Sequence, residues 1–504
     1  MRTSSGAPPL RDAALVSKLT GALDSRKQRS LLRHLPQPST PTSNDTIDFN
    51  SNDYLSLRRS SALREAFLSK LAAAPDVLGA GGSRLLVNGS AHTALEQRAA
   101  DLFNGPQHAG VATKDALLFN SGFDANAGFF ACVPQPGDVL VYDANIHASV
   151  HDGARTARVS ARYAFAHNDV RALEDVLRAA REQHPGLSPT AHSGTTCSLF
   201  LAVESVYSMD GTVAPLVKMA DALEAAFPSG NAHLVVDEAH ATGLYGPRGL
   251  GRVAELGLEG RVLAQLHTFG KALAASGAFL LVPPVLKSYL LNYARPLIYT
   301  TAPAYSAVVA ADCALDVLQS GASEKLAADL RFACVYLISR LQAELQKVPQ
   351  GVLSLPAHLT APAAPSTSPT AHPSPPSDGA TPSAPGDSTP IHFVSPIIPL
   401  LAPHPRSLAA YLAKAGPRCE GGDARPISAR PIVPPTASPR VRVCVQAGHT
   451  RAELDALVAG VVTWARGEGR SLFEESQRAS PSGGPRVTEP PSAGITARLA
   501  RSRL

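Results

Sequence analysis

An apolar run that ends in two polar side chains limits how this chain can fold. Residues 234–236 (Leu-Val-Val) are followed by Asp237 and, three residues later, by His240. Such a run is typical of a buried strand, so the carboxylate and the imidazole are expected at its carboxyl end. A second segment, His-Thr-Phe-Gly-Lys at 267–271, then presents a lysine in a turn of small residues. The two segments predict a site at the end of a buried sheet.

Other apolar runs alternate with longer segments of helical periodicity. Residues 116–119, 139–142 and 199–203 are short and apolar, whereas residues 173–182 have helical spacing. This alternation predicts an α/β fold with a largely parallel sheet. With 504 residues, of which 44% are hydrophobic and 17% charged, the chain is long enough to form two or more domains.

A lysine and a buried carboxylate are the groups that pyridoxal 5'-phosphate requires from a protein. The cofactor draws electrons from a substrate Cα into its pyridine ring, so an amine must hold the aldehyde and the ring nitrogen must stay protonated. Lys271, between Gly270 and Ala272, is predicted to bond to the aldehyde and to act as the base. Asp237 is predicted to pair with the ring nitrogen, and His240 to hydrogen-bond the ring hydroxyl. Taken singly, Asp237 as a helix cap and Lys271 as a solvated lysine would be the commoner explanations.

Four further segments strengthen this interpretation. They are NSNDYLSL at 50–57, GAGGSR at 79–84, NSGFDAN at 120–126 and ESVYSMDG at 204–211. With them the chain resembles the α-oxoamine synthases, which are class II pyridoxal-phosphate enzymes, from about residue 23 to about residue 466. The resemblance implies the type I fold of pyridoxal-phosphate transferases, with a large domain around a mostly parallel seven-stranded sheet and a small α/β C-terminal domain. It also implies the condensation of an amino acid with an acyl thioester and loss of carbon dioxide.

The resemblance assigns cofactor contacts to further residues. The phosphate is expected at a helix N-terminus with one added hydroxyl, because free N–H groups bind anions there. A histidine is expected to stack on the ring, and a serine to lie near the ring oxygen and the substrate carboxylate. These residues are Ser121, Gly122, Phe123, Thr268, His147 and Ser208. Thr300 and Thr301 look like the segment that reaches the phosphate of the neighbouring subunit, which implies a homodimer with shared sites.

Three residues are expected from the resemblance to bind the substrates. Arg430 matches the arginine that holds the amino-acid carboxylate, a task suited to a planar fork of donors. Arg26 matches an N-terminal arginine assigned to the acyl substrate, and Asn52 is also assigned to substrate binding. Solvated charge in an arginine-rich amphipathic stretch would explain Arg26 equally well. One departure from the family is Ala274, which stands where relatives usually carry glycine.

The turn around Lys271 favours alanine as the amino acid. The chain has Ser-Gly-Ala at 276–278, where glycine-using members usually carry a Gly-Gly pair, and Phe269 precedes Gly270. With alanine as the amino acid, the resemblance implies a reaction that joins L-alanine to pimeloyl-CoA, or another pimeloyl thioester, to give 8-amino-7-oxononanoate, coenzyme A and carbon dioxide in biotin synthesis. A glycine-using member of the aminolevulinate or amino-ketobutyrate type is the alternative, since one methyl group is worth only about 1–3 kcal/mol in a pocket. A non-catalytic relative would be expected to lack Lys271.

Composition also predicts the boundaries of the domains. Two segments are rich in Pro, Ser and Thr and poor in large apolar residues, which predicts disorder. The predicted parts are an N-terminal segment at 1–60, a large cofactor domain at 61–300, a small domain at 301–355 and 391–466, a disordered insert at 356–390 and a disordered tail at 467–504. The chain ends in Ser-Arg-Leu at 502–504, a variant of the peroxisomal Ser-Lys-Leu ending, so the peroxisome is favoured over the cytoplasm.

Charge, cysteine spacing and hydropathy argue against several other classes of protein. The formal charge of +5 is small and dispersed, which gives little support to nucleic-acid binding. The six cysteines lie far apart without a Cys-x-x-Cys pair, so neither a metal site nor a disulfide framework is predicted. The apolar stretch after Lys271 is broken by Pro283 and Pro284, which argues against a membrane span. The expected partners are therefore small molecules and a second copy of the chain.

Overall fold

The computed structural model describes residues 12–29, 31–33, 35, 46–104, 113–189, 196–360, 395–414, 425–433 and 438–478. The predicted insert lies outside the described residues from 361 onward, and the predicted peroxisomal ending lies outside them as well. The helices are α1 Ala13–Gln28, α2 Ser61–Ala73, α3 Ser90–Phe103, α4 Gly122–Cys132, α5 Ala148–Thr156, α6 Val170–Gln183, α7 Leu216–Ala226, α8 Arg252–Glu255, α9 Pro284–Tyr293, α10 Arg295–Ile298, α11 Tyr305–Gln319, α12 Ala322–Leu345, α13 Ala357–Thr360, α14 Pro405–Lys414, α15 Arg451–Arg466 and α16 Glu468–Arg478. The strands are β1 Ile47–Asp48, β2 Asp115–Phe119, β3 Val139–Asp143, β4 Ala161–Phe165, β5 Leu199–Glu204, β6 Ala232–Asp237, β7 Val262–Thr268, β8 Ala278–Val282, β9 Ile397–Leu401, β10 Ile427–Ser428, β11 Arg430–Ile432 and β12 Arg440–Cys444.

A seven-stranded sheet forms the centre of the large domain. Its strand order is β2-β8-β7-β6-β5-β3-β4. The pairs from β7 to β4 are all parallel, and only β8 runs antiparallel to its two neighbours. Parallel strands need helical crossovers, which the helices between them supply. The predicted α/β architecture with a mostly parallel seven-stranded sheet is therefore confirmed.

Alternate residues of the strands pack against helices on opposite faces of the sheet. On β5, Leu199, Leu201 and Val203 join the core beneath α6 and α7. Phe200 and Ala202, between them, join the core beneath α4 and α5. This two-residue period explains why the central strands are apolar throughout: both of their faces are buried.

The parallel strands deliver polar residues to one edge of the sheet. β3 ends at Asp143, β5 at Glu204, β6 at Asp237 and β7 at Thr268. The alternation that buries the apolar residues also decides where these side chains point. Glu204, Asp237 and Thr268 each lie two positions after a residue that faces α4 and α5, so they belong to that face of the sheet. Asp143 lies two positions after a residue that faces α6 and α7, so it belongs to the opposite face. The carboxyl edge of a parallel sheet is the usual place for a ligand site in open α/β folds.

The small domain is built around the three-stranded sheet β11-β12-β9. Its core also contains residues from the predicted N-terminal segment, among them Phe49 and Tyr54. β1 pairs in parallel with β10, and the carbonyl of Phe49 accepts the Cys444 N–H at 2.8 Å. Residues 47–57 therefore pack as part of the small domain and not as a separate segment.

Two further boundaries differ from those predicted. α11, predicted to begin the small domain, packs its buried residues into the core formed by α3, β2 and β8. It is amphipathic and covers the antiparallel edge of the large sheet, so the large domain extends past residue 300. α16 lies inside the predicted disordered tail; the aromatic ring of Trp464 packs against its Gly469, and Phe473 packs against the core of the small domain. The composition of this segment is polar, so the few apolar contacts that hold α16 in place could not be predicted from it.

α1 differs from the other long helices because every one of its residues is exposed. Leu15, Leu19 and Leu23 on this helix are among the exposed large hydrophobic residues of the chain. Among the described helices none is both long and apolar enough to cross a membrane. The described residues likewise contain no group of three or more His, Cys, Asp or Glu arranged to hold a metal ion.

Candidate active site

Asp237 is fixed in orientation at the end of β6. One carboxylate oxygen accepts the Ala239 N–H at 2.9 Å, and the other accepts the side-chain amide of Asn126 at 2.8 Å. The residue is only 8% exposed. A buried carboxylate with donors on both oxygens is held in place to meet a cation, which is the role predicted for Asp237 towards a ring nitrogen.

His147 is linked to Asp237 through two polar side chains. The Asn126 amide also donates to the Ser149 hydroxyl at 3.0 Å, which lies 2.8 Å from Nδ1 of His147. Nδ1 accepts the Ser149 N–H as well, at 3.3 Å, so the proton of a neutral ring lies on Nε2. His147 caps α5 and is exposed in the single chain. An oriented and accessible imidazole beside Asp237 fits the predicted stacking role.

The start of α4 has the features of an anion site. Ser121 caps the helix, its hydroxyl accepting the Asp124 N–H at 3.1 Å. A Cβ atom added at Gly122 would lie 3.9 Å from Cβ of Thr268, which places the helix start beside the end of β7. The first N–H groups of a helix have no partner within it and attract anions. Phe123 contacts the His147 ring edge-on at 6.3 Å between centroids, so this end adjoins the ring site.

Thr300 and Thr301 approach the same helix start within the single chain. The side-chain amide of Asn120 donates to the Thr301 carbonyl at 2.8 Å and to the Thr300 hydroxyl at 3.4 Å. Asn120 immediately precedes Ser121. The two threonines therefore lie at the phosphate end of the site, while their contact with a neighbouring subunit stays a prediction.

Lys271 follows β7 in a turn closed by a 3.0 Å hydrogen bond from the Ala274 N–H to the Lys271 carbonyl. Burial lowers the pKa of its amine, Asp237 and Glu204 raise it, and Arg442 lowers it, with a net shift downwards. A lysine with a lowered pKa is more often neutral, as a nucleophile or base must be. The position and the pKa of Lys271 both suit the predicted role.

His240 belongs to a hydrogen-bonded chain that sequence analysis did not reveal. The Tyr54 hydroxyl lies 2.8 Å from Nδ1 of His240 and 3.2 Å from Oδ1 of Asn52. Arg442 donates to the same Asn52 oxygen at 2.7 Å. Burial, together with the cations Lys271 and Arg442, holds the pKa of His240 well below its usual value. His240 is thus a neutral imidazole connected across the domain boundary to a buried guanidinium.

Arg430 and Arg442 lie directly opposite each other on β11 and β12. Directly paired residues of antiparallel strands share one face of the sheet, and like charges there repel. Arg442 is 3% exposed, and its Nε has no hydrogen-bond partner among the described residues. In the described ranges neither arginine forms an ion pair, and burial and Arg442 lower the pKa of Arg430. Two facing cations with unused donors constitute a site for a carboxylate.

The other predicted residues are less closely tied to this site. Ser208 lies in the turn after β5 and is half-buried. Arg26 lies on α1, which is exposed along its whole length in the single chain, so its role stays a prediction. The residues missed were Asn126, Ser149, Tyr54 and Arg442. For Arg442 a signal existed, because an arginine at the centre of the apolar strand Arg440–Cys444 is costly to bury without a function.

The residues present fit pyridoxal phosphate. A helix N-terminus with a neighbouring threonine suits the phosphate, an oriented carboxylate suits the ring nitrogen, and a neutral histidine suits the ring oxygen. Lys271 lies within electrostatic reach of Asp237, as the aldehyde requires. The chain matches the aminotransferase class I and II family over residues 44–358.

The chain belongs to the aminotransferase class I and II family. Its relatives place it among the pyridoxal-phosphate-dependent acyltransferases called α-oxoamine synthases. It is 38% identical to the 8-amino-7-oxononanoate synthase of Emericella nidulans over 89% of this chain and 96% of that one. It is 37% identical to the aminoacyl transferase sphA of Aspergillus fumigatus over 69% of this chain and 73% of that one.

Solved structures share the fold of this α-oxoamine synthase. A serine palmitoyltransferase from S. paucimobilis superposes with a TM-score of 0.66 at 21% identity, covering 91% of this chain and 99% of that one. The 8-amino-7-oxononanoate synthase of Francisella tularensis has a TM-score of 0.57 at 20% identity, covering 86% of this chain and all of that one. At these identities the likeness concerns the fold alone, and the choice of substrates depends on the site.

Proposed function

We propose that the protein condenses L-alanine with a pimeloyl thioester to form 8-amino-7-oxononanoate, with release of carbon dioxide. The observation that carries the proposal is the 38% identity extending over 96% of a curated synthase of this kind. The site supports the same chemistry, because it combines a lysine of lowered pKa, an oriented carboxylate and a pair of facing arginines that form no ion pair with the described residues. Ser276, Gly277 and Ala278 after the lysine turn favour alanine over glycine.

The residues of the large domain prepare the amino-acid Cα for reaction. Bound pyridoxal phosphate supplies an electron-withdrawing ring that stabilises negative charge on that carbon. Asp237, held by Asn126, maintains the positive charge of the ring nitrogen. The Lys271 amine, whose pKa is lowered by burial, accepts the Cα proton and later returns it. His147 and His240 would contact the ring and limit its tilt.

The residues of the small domain bind the amino-acid carboxylate. Arg442 is buried and already donates to Asn52 at 2.7 Å, which fixes one end of its guanidinium. Its free Nε and the facing Arg430 can together donate to both oxygens of a carboxylate. Charge-assisted hydrogen bonds of this kind are worth about 1.5–3 kcal/mol each. A carboxylate bound by these arginines places the substrate Cα between the small domain and the large sheet.

The proposal is tested by giving the cofactor-loaded enzyme a matrix of substrates. L-alanine, glycine and L-serine are each paired with pimeloyl-CoA, acetyl-CoA and palmitoyl-CoA. The visible spectrum of the bound cofactor reports amino-acid binding, and mass spectrometry identifies the product. We expect turnover to be fastest with L-alanine and pimeloyl-CoA. Preference for glycine would reassign the enzyme to a glycine-using branch, and preference for serine and palmitoyl-CoA to the branch of the structural neighbours. Absence of spectral change with every amino acid would indicate a non-catalytic relative.

We also propose a homodimer in which Thr300 and Thr301 reach the phosphate of the partner subunit. A mixing experiment tests this arrangement. A Lys271→Ala subunit and a Thr300→Ala/Thr301→Ala subunit are each expected to be weakly active. If sites are shared between subunits, the mixed dimer contains one intact site and activity returns on mixing. If each threonine pair serves its own subunit, the mixture stays as weak as its components.

A further inference from the structure

Glu204 is a buried carboxyl group that lies next to Asp237 and has no role in the proposed chemistry. It ends β5, and its Cα pairs in register with that of Asp237 on β6. Phe200 and Ala202, four and two residues earlier, face the core beneath α4 and α5, so the Glu204 side chain emerges on the same face as Asp237. Glu204 is 3% exposed. Two carboxyl groups thus lie side by side at the base of the site.

The surroundings of Glu204 oppose a second negative charge. Acidic groups at three places act on it electrostatically: Asp237 at the end of β6, on the same face, Asp143 at the end of β3, on the other face, and Asp210 in the turn after β5. The nearby cation is Lys271, which is shared with Asp237 and which the cofactor occupies when it binds. Burial and the neighbouring carboxylates raise the pKa of Glu204 well above its usual value. Like charges this close rarely ionise together.

A nearby glutamate, Glu238, shows which hydrogen bonds the fold can supply to a buried carboxyl group; burial raises its pKa to about 7, and these donors oppose the rise. Glu238 is fully buried and accepts hydrogen bonds from the Ser205 hydroxyl at 2.8 Å, the Arg252 N–H at 3.0 Å and the Val253 N–H at 2.7 Å. For Glu204, in contrast, Oε1 is buried and has no hydrogen-bond partner in the part of the chain that the structure describes. An unpaired buried oxygen is costly for a carboxylate and less so for a protonated acid.

We propose that Glu204 is a positioning residue that keeps its proton, so that Asp237 carries the one negative charge directed at the cofactor nitrogen. A neutral Glu204 leaves the Asp237 carboxylate free to pair with the ring nitrogen and does not compete for its positive charge. The inference depends on the cofactor of the family, and it is independent of which acyl thioester the enzyme uses.

The first test measures the stability of the protein without cofactor as a function of pH. A carboxyl group whose pKa is raised in the folded state contributes its full share to the free energy of unfolding below its ordinary pKa of 4.5. That contribution is lost as pH rises through the raised value. Wild type should therefore lose thermal stability at alkaline pH relative to Glu204→Gln, which is isosteric and cannot ionise. Glu238→Gln is the comparison at a second buried glutamate: it removes an acceptor that three donors require, and because burial raises the pKa of Glu238 to about 7, its difference from wild type should change as pH rises through that value. Equal pH profiles for wild type and Glu204→Gln would overturn the proposal.

The second test uses the visible band of the bound cofactor. If Glu204 is neutral, Glu204→Gln should leave the pH midpoint of that band unchanged, whereas Asp237→Asn should move it. If Glu204 is ionised, its negative charge helps to hold positive charge on the cofactor, and Glu204→Gln should lower the midpoint by about one pH unit, a tenfold change in proton affinity. A downward shift of that size would contradict the proposal.

A third measurement covers the case in which Glu204→Gln fails to fold. Infrared spectroscopy of the wild-type holoenzyme, with carbon-13 in its glutamate carboxyl groups, distinguishes a protonated acid from a carboxylate. We expect an isotope-sensitive band of a protonated carboxyl group at a pH well above about 7, the value to which burial raises the pKa of Glu238, so that Glu238 is ionised and does not contribute. Its absence would overturn the proposal even without a folded variant. Neither the infrared nor the cofactor-free experiment contains substrate, so failure of the substrate assignment would leave their outcomes unchanged.

Discussion

The two halves of the site are assembled in different ways. On the large sheet, Asp237 at the end of β6 is held by Asn126 of α4, a residue 111 positions away. In the small domain, Arg442 is held by Asn52, 390 positions away and near the other end of the chain. The first half depends on strand ends that any parallel sheet brings together. The second half depends on the docking of the chain ends, so it forms only when the whole chain has folded.

The largest expected effect on activity tests the part of the site that lies on the large sheet. Lys271→Ala removes both the amine that bonds to the cofactor and the predicted base, so we expect the rate to fall by at least about 10²–10⁴-fold, the usual contribution of one general base. The visible band of the lysine-bound cofactor should disappear, while thermal stability without cofactor is maintained. Turnover with only a small loss would show that the base lies elsewhere.

The next effect separates the two arginines of the small domain. Arg442→Lys keeps the charge but loses the planar fork, and we expect KM for the amino acid to rise about 10–100-fold, which corresponds to one charge-assisted hydrogen bond. Arg430→Lys is the matched control on the facing strand, and it should raise KM less because Arg430 is exposed. The reverse order would make Arg430 the principal carboxylate ligand, as the sequence resemblance implied.

A third prediction concerns the link between the halves. Tyr54→Phe removes the hydroxyl that lies between His240 and Asn52, leaving a buried ring nitrogen unpaired. We expect a loss of about 1–3 kcal/mol in the free energy of unfolding, measured by urea titration. Tyr142→Phe, on the partly exposed position of β3, is the control and should change stability much less. Equal losses would mean that the Tyr54 link contributes nothing specific.

The same comparison explains which features could be predicted from the sequence. The sheet and the positions of Asp237, His240 and Lys271 at its carboxyl edge could be predicted because each lies within a few residues of an apolar run whose end is visible in the sequence. Arg442 was missed because its function arises from contacts with Asn52 and Tyr54, which no local pattern encodes. The same reason accounts for the domain boundary at residue 60: residues such as Phe49 look like an N-terminal arm until β1 pairs with β10.

The smallest expected effect lies in the turn that carries Lys271. Ala274 has a φ of +51°, a left-handed conformation that costs a residue with a Cβ about 1–2 kcal/mol, and glycine avoids this cost. Ala274→Gly removes that strain, but glycine also raises the conformational entropy of the unfolded chain, which lowers the free energy of unfolding by about 0.4–1 kcal/mol. We expect a net stabilisation of up to about 1 kcal/mol in calorimetry. Ala275→Gly, at an ordinary φ and with its methyl packed against the core, should instead destabilise. A loss of similar size in both variants would show that residue 274 is not strained, and that the departure from glycine noted in the sequence has no consequence for the lysine turn.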